Sequence, residues 1–181
     1  SIDAGIATPE YRVHCSGVFT FGGHDFHCWQ HRGHGWLDVV GGLKNSCDVF
    51  FYETARRVGI DKIEQAARKL GLGAVTGIEL PGEHSGLIPS REWKRRTYHA
   101  AWQQGDTLSV GIGQGYVTAT PLQLCVMVSR LANATKALQP RLIRSVGGVA
   151  TPSGAQAPNL TTPREHLDFV RAAMAAVVAV L

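Results

Sequence analysis

The sequence has no long run of like charge and no apolar segment able to cross a bilayer. Its 18 Lys and Arg only slightly outweigh its 14 Asp and Glu, and both are dispersed. A nucleic-acid-binding tail is therefore not expected, and no nucleic acid is assigned as a partner. The longest apolar stretch, Ala172 to Leu181, falls well short of the roughly 20 residues a transmembrane helix needs. Ser1 to Pro9 has neither a basic start nor a long apolar run, so it does not read as a secretory leader. A nucleotide loop is missing too: no Lys-Ser or Lys-Thr follows Gly111-Ile112-Gly113-Gln114-Gly115, and the glycine spacing differs from the dinucleotide fingerprint.

What is present suits one packed domain: 181 residues, 44% of them hydrophobic, enough to bury a core and too many for a disordered or collagen-like chain. Residues 1–45 are rich in Gly, His and aromatics with little periodicity, and are expected to form loops with short helical or extended pieces. Residues 46–181 are expected to be mostly helical. Ser46 is a candidate helix cap, with Cys47, Phe51, Ala55 and Val58 recurring at helical spacing up to Gly59. Ile60, Ile63, Ala67 and Leu70 mark a second helix, and Thr76 to Pro89 a hairpin or irregular ribbon. Thr120-Pro121 opens a helix whose residues Leu122 to Leu131 are apolar almost all round; burial is expected there, with Cys125 in the core. Arg141 to Val146 reads as a strand and Gly147 to Asn159 as an exposed loop. Thr162, Pro163 and Glu165 form a capping box before a last helix presenting Leu167, Val170, Met174 and Val177. That helix ends on an apolar run without a stop signal, as a cut through a larger domain would. Arg91, Lys94, Arg95 and Arg96 read as a solvated basic patch, and Trp93 and Trp102 as partly buried aromatics.

Two constellations carry chemistry. Ser46-Cys47-Asp48, at the head of a helix, offers a hydroxyl that can relay a proton and a carboxylate that can orient an amide. Cys15, Cys28 and Cys47 share the first third of the chain with His14, His24, His27, His31 and His34. Thiolate and imidazole donors suit tetrahedral zinc, which needs four of them in a closed site. The spacing matches no standard finger: twelve residues part Cys15 from Cys28, five part Cys28 from His34, and twelve part His34 from Cys47. Disulfides and separate buried thiols remain open on spacing alone.

Leu43-Lys44-Asn45-Ser46-Cys47-Asp48-Val49-Phe50-Phe51-Tyr52 resembles the second motif of active-site-serine penicillin-binding proteins, and is most similar to the elongation-type penicillin-binding protein 2 family. Gly33-His34-Gly35, Thr76-Gly77-Ile78, Pro89-Ser90-Arg91-Glu92-Trp93-Lys94, Gly111-Ile112-Gly113-Gln114-Gly115-Tyr116 and Thr120-Pro121-Leu122-Gln123 follow in that family's order, covering nearly the whole chain. The resemblance implies the α/β (α+β) serine transpeptidase fold shared with β-lactamases, here mostly its helical portion. The family also uses Ser-x-x-Lys, whose serine is acylated, and Lys-Thr-Gly. Neither occurs in this sequence. By family order they are expected before Ser1 and after Leu181, and the 181 residues alone are expected to be inactive.

In the implied reaction that serine attacks the penultimate D-alanyl carbonyl of a peptidoglycan stem pentapeptide. D-Alanine leaves, and an amine of a neighbouring stem accepts the acyl group. Ser46 would shuttle the proton; Asp48, where most relatives carry Asn, would hold the substrate amide or orient the lysine. The resemblance further implies a structural zinc on Cys15, Cys28, His34 and Cys47, with His14, His27 or His31 as the substitutes. It implies β-lactam binding, a lipid-linked glycosyltransferase partner and scaffold proteins of the elongation complex. It also implies anchoring in the bacterial inner membrane, by a segment outside this sequence, on the periplasmic face. Two rival readings are a small zinc-stabilised binding module without catalysis, and a D,D-carboxypeptidase or β-lactamase of the same fold.

Overall fold

Helix α2, Asp48–Val58, carries Val49, Phe50, Tyr52, Thr54 and Ala55 into the interior, so one face of it meets the core along most of its length. Gly59, at φ 79°, breaks the helix and starts α3, Ile60–Lys69. Helix α5, Gln104–Gly111, lies across α2 and contributes the fully buried Leu108. The contact is close because Gly111 lacks a side chain: a Cβ there would lie 2.3 Å from the Cβ of Ala55. In this computed structural model, residues 1–151 and 157–178 are described.

Residues 1–47 surround the start of α2. They contain β1 (Val13–Cys15), β2 (Val18–Phe21), β3 (His24–His27) and β4 (Gly35–Leu37), then the short helix α1 (Val39–Lys44). β1 pairs antiparallel with β4, setting Cys15 opposite Gly35; β2 and β3 form a hairpin across Gly22-Gly23. Short extended and helical pieces were expected here, and the structure adds their pairing. The helices expected over 47–58 and 60–70 are present, but the cap of the first is not Ser46. The side chain that accepts the Phe50 N–H is Cys47.

Beyond α3, residues 76–89 form an irregular ribbon, fixed by an antiparallel bridge between Leu87 and Thr118. Gln123 does the rest. Fully buried, it donates through Nε2 to the carbonyls of Ala74 at 2.7 Å and Ser85 at 2.6 Å. Helix α4 (Arg91–Tyr98) is capped by Ser90, and α6 (Pro121–Asn133) by a reciprocal box of Thr120 and Gln123. Helix α7 (Arg164–Val178) packs against α1 and α6.

Several expectations are corrected. Helix α6 is not buried all round: Leu124 and Val128 are nearly half exposed and Cys125 is exposed, not core. Its packed side is the one bearing Gln123 and Val126, while Leu124, Cys125 and Val128 are exposed. Only Ser145–Val146 (β5) of the expected 141–146 strand forms, pairing with Val149–Ala150 (β6) inside the expected loop. Positions 152–156 of that loop and 179–181 of the terminal apolar run lie outside the described residues. On α7, Leu167 is buried and Met174 is exposed. Lys94 does not belong to a solvated patch, because it is buried against Asp106. No described helix is long and apolar enough to span a membrane.

Candidate active-site loop and metal cluster

The chain leaves α1 through two reversed hydrogen bonds, Ser46 N–H to Leu43 O at 3.1 Å and Cys47 N–H to Gly42 O at 3.0 Å. This pair is a Schellman stop, whose central position is left-handed and normally glycine. Here it is Ser46, at φ 47°. A residue with a Cβ is strained there by about 1–3 kcal/mol, and such strain gathers at functional sites. The result is an exposed hydroxyl-bearing residue on the turn between two helices, immediately before buried Cys47.

Asp48, half-buried in the first turn of α2, accepts the backbone N–H of Trp29 through Oδ2 at 2.9 Å. The Trp29 indole N–H reaches the carbonyls of Asn45 and Ser46, each at 3.0 Å. Ser46 and Asp48 therefore flank Cys47 as the sequence implied. The structure adds that one oxygen of Asp48 is bonded within the chain, to the residue following Cys28.

The four expected metal donors converge. One ligand atom each from Cys15, Cys28, His34 and Cys47 lie within 4.8 Å of one another. Cys28 Sγ is 3.6 Å from His34 Nδ1 and 4.0 Å from Cys47 Sγ. Each donor comes from a different piece of backbone: the end of β1, the exit of β3, the approach to β4 and the cap of α2. Gly33 permits the convergence. At φ 79° its backbone passes so near β1 that a Cβ would lie 2.2 Å from the Cys15 carbonyl oxygen. His14, His27 and His31 are exposed and outside the cluster.

The donor set fits a soft cation. All three thiols are buried and none is in a disulfide. Burial pushes the Cys47 thiol well above its ordinary range; the Phe50 N–H opposes this, and Cys15 and Cys28 add to it. A cation among these donors would reverse the balance and favour thiolate. His34 Nε2 is buried without a hydrogen-bond partner among the described residues, so hydrogen bonding alone does not explain the burial of its ring.

A second buried charge lies beside the core. Lys94 of α4 pairs with Asp106 of α5, and its ammonium sits 5.9 Å from the ring centre of Trp102 and 5.8 Å from that of Tyr116. Tyr116 also packs on Trp93, with ring centres 5.0 Å apart. The Arg-Glu-Trp-Lys and Gly-Gln-Gly-Tyr segments thus meet in one polar–aromatic joint. The alternation of charged and aromatic residues contained the signal, but sequence distance hid the pairing.

Comparison with known proteins places this arrangement in a family. The profile of the Penicillin binding protein transpeptidase domain matches residues 1–180. The chain belongs to the penicillin-binding protein transpeptidase family, and its mixed helix and strand architecture is part of that fold. It is 40% identical over 177 residues to the peptidoglycan D,D-transpeptidase MrdA of Salmonella typhimurium, matching 94% of this chain and 28% of that protein. It is also 40% identical over 147 residues to MrdA of Escherichia coli K12, covering 80% of this chain and 23% of that protein. Penicillin-binding protein 2 of Pseudomonas aeruginosa, solved in complex with WCK 5153, superposes with a TM-score of 0.88 at 35% identity, over 96% of this chain and 38% of that one. The chain spans less than a third of the length of these curated relatives.

Proposed function

We propose that these residues form the central part of a peptidoglycan D,D-transpeptidase of cell-wall elongation, a penicillin target. Ser46 relays a proton during acyl transfer, and Asp48 holds the Ser46 turn and the substrate amide. The observation that carries the reading is Ser46 itself, exposed in a left-handed turn where glycine would fit more easily, next to Asp48. The names of the relatives support the reaction class. The nucleophile is assigned to a Ser-x-x-Lys segment of a longer protein, since none of these 181 residues form that motif.

We further infer that Cys15, Cys28, His34 and Cys47 hold a structural zinc ion. When bound, the ion supplies folding energy to the loops before α2 and keeps the junction around Cys47 rigid. No chemical step is assigned to it. The working location is the periplasmic face of the inner membrane. A Helicobacter pylori penicillin-binding protein 2 was solved with MreC, and another relative in a peptidoglycan synthase complex, which supports a scaffold protein and a lipid-linked glycosyltransferase as partners.

The test is acylation by a fluorescent penicillin. The longer protein is expected to label covalently, and Ser46→Ala to slow labelling on the order of a hundredfold, as loss of a proton relay does. Labelling at the unaltered rate in Ser46→Ala would overturn the reading.

A further inference from the structure

Trp29 occupies a position that neither the metal cluster nor the Ser46–Asp48 pair explains by itself. It directly follows Cys28, and its ring lies edge-on to that of His34, with centres 5.2 Å apart. Its two N–H groups go elsewhere. The backbone N–H bonds Asp48, and the indole N–H is shared by the carbonyls of Asn45 and Ser46. One residue therefore touches a donor of the cluster, the carboxylate of the serine motif, and the two peptide groups on either side of the strained Ser46 turn.

The exposure of the side chain sharpens the point. Trp29 is 60% exposed, so apolar burial explains little of its placement. Two carbonyls at the end of a helix have no partner of their own in that helix, and a donor aimed at both fixes the peptide planes that set the Ser46 backbone. Phe or Leu could cover His34 as well but could not make this bond.

We propose that Trp29 is a positioning residue: its indole N–H clamps the Asn45 and Ser46 carbonyls, coupling the Cys28–His34 loop to the orientation of the Ser46 hydroxyl. The proposal rests on the role of Ser46 proposed above. It makes Trp29 a residue that acts through Ser46 and does not touch substrate.

The test uses the longer, penicillin-reactive protein with Trp29→Phe, and with Trp29 replaced by 3-benzothienylalanine, which keeps the shape of the indole and lacks the N–H. Zinc content, melting temperature and the separate binding and acylation constants for a β-lactam are measured. Both variants are expected to keep their zinc and their β-lactam binding constant, while the acylation rate constant falls on the order of tenfold. A purely structural role would lower melting temperature or zinc content and leave the acylation rate of the folded molecules unchanged. That result, or an unchanged rate in the benzothienyl variant, would overturn the proposal. Ser46→Ala run alongside separates the two claims. If it slows acylation and the Trp29 variants do not, only the clamp fails; if neither does, the role of Ser46 fails as well.

Discussion

Residues 11–47 and the α2–α5 pair contribute to one buried cluster, yet they hold their shapes by different means. The α2–α5 contact is made by apolar side chains in regular helices, Phe50 and Leu108 among them, closed up by a glycine at 111. The 11–47 region has strands of three or four residues, and its most deeply buried side chains include Cys15 and Cys28. A helix pair of this kind draws stability from apolar area removed from water. Loops with so little regular structure need cross-links, and convergent donors on four separate backbone pieces can provide them through a metal. Ser46 and Asp48 stand where the two regions join, so either region can disturb the site.

The two regions part most widely if the proposed metal is removed. Structural zinc contributes about 10–16 kcal/mol of apparent binding energy in small zinc-binding peptides. Chelation is expected to abolish amide-exchange protection in β1 and β4 while α2 and α5 keep theirs. Equal loss in both regions would mean that they fold as one unit.

A smaller effect is expected on the helical side. Lys94→Ala leaves the partly buried Asp106 without its counter-charge, which costs less than the about 3–5 kcal/mol of breaking a fully buried pair and more than the about 1 kcal/mol of an exposed one. Chemical denaturation should show that loss with zinc content unchanged, since Lys94 contacts none of the four donors. A fall in zinc content would show that the two regions are coupled through α5.

The smallest effect has the opposite sign. Ser46→Gly relieves the left-handed strain and is expected to stabilise the protein by about 1 kcal/mol while slowing acylation as much as Ser46→Ala. Destabilisation by Ser46→Gly would show that the hydroxyl, not the backbone, holds the turn.

Much of this was legible in the sequence, for identifiable reasons. Helical periodicity located α2 and α3, and the Thr120-Pro121 pair located the start of α6, because caps and repeats are local signals. The four donors follow from family resemblance, since spacing alone leaves disulfides open. Their convergence depends on β1 pairing with β4, which no local pattern encodes. At Ser46 propensity and structure disagree. Serine is a good cap by propensity, but the stop of α1 takes that position and the cap passes to Cys47. The exposure of Cys125 and of the outer face of α6 is not legible in the sequence, because apolar composition does not specify which side of a helix is covered. The burial of Lys94 is not legible either, because its partner lies twelve residues away, on another helix.

Four donors are proposed to hold a metal at the hinge carrying Ser46 and Asp48. Zinc per chain, measured on the purified protein and on Cys28→Ser, tests it most directly. One zinc is expected in the unaltered protein and a marked loss in Cys28→Ser, with a lower melting temperature. No zinc in the unaltered protein, or a full complement in Cys28→Ser, would contradict it.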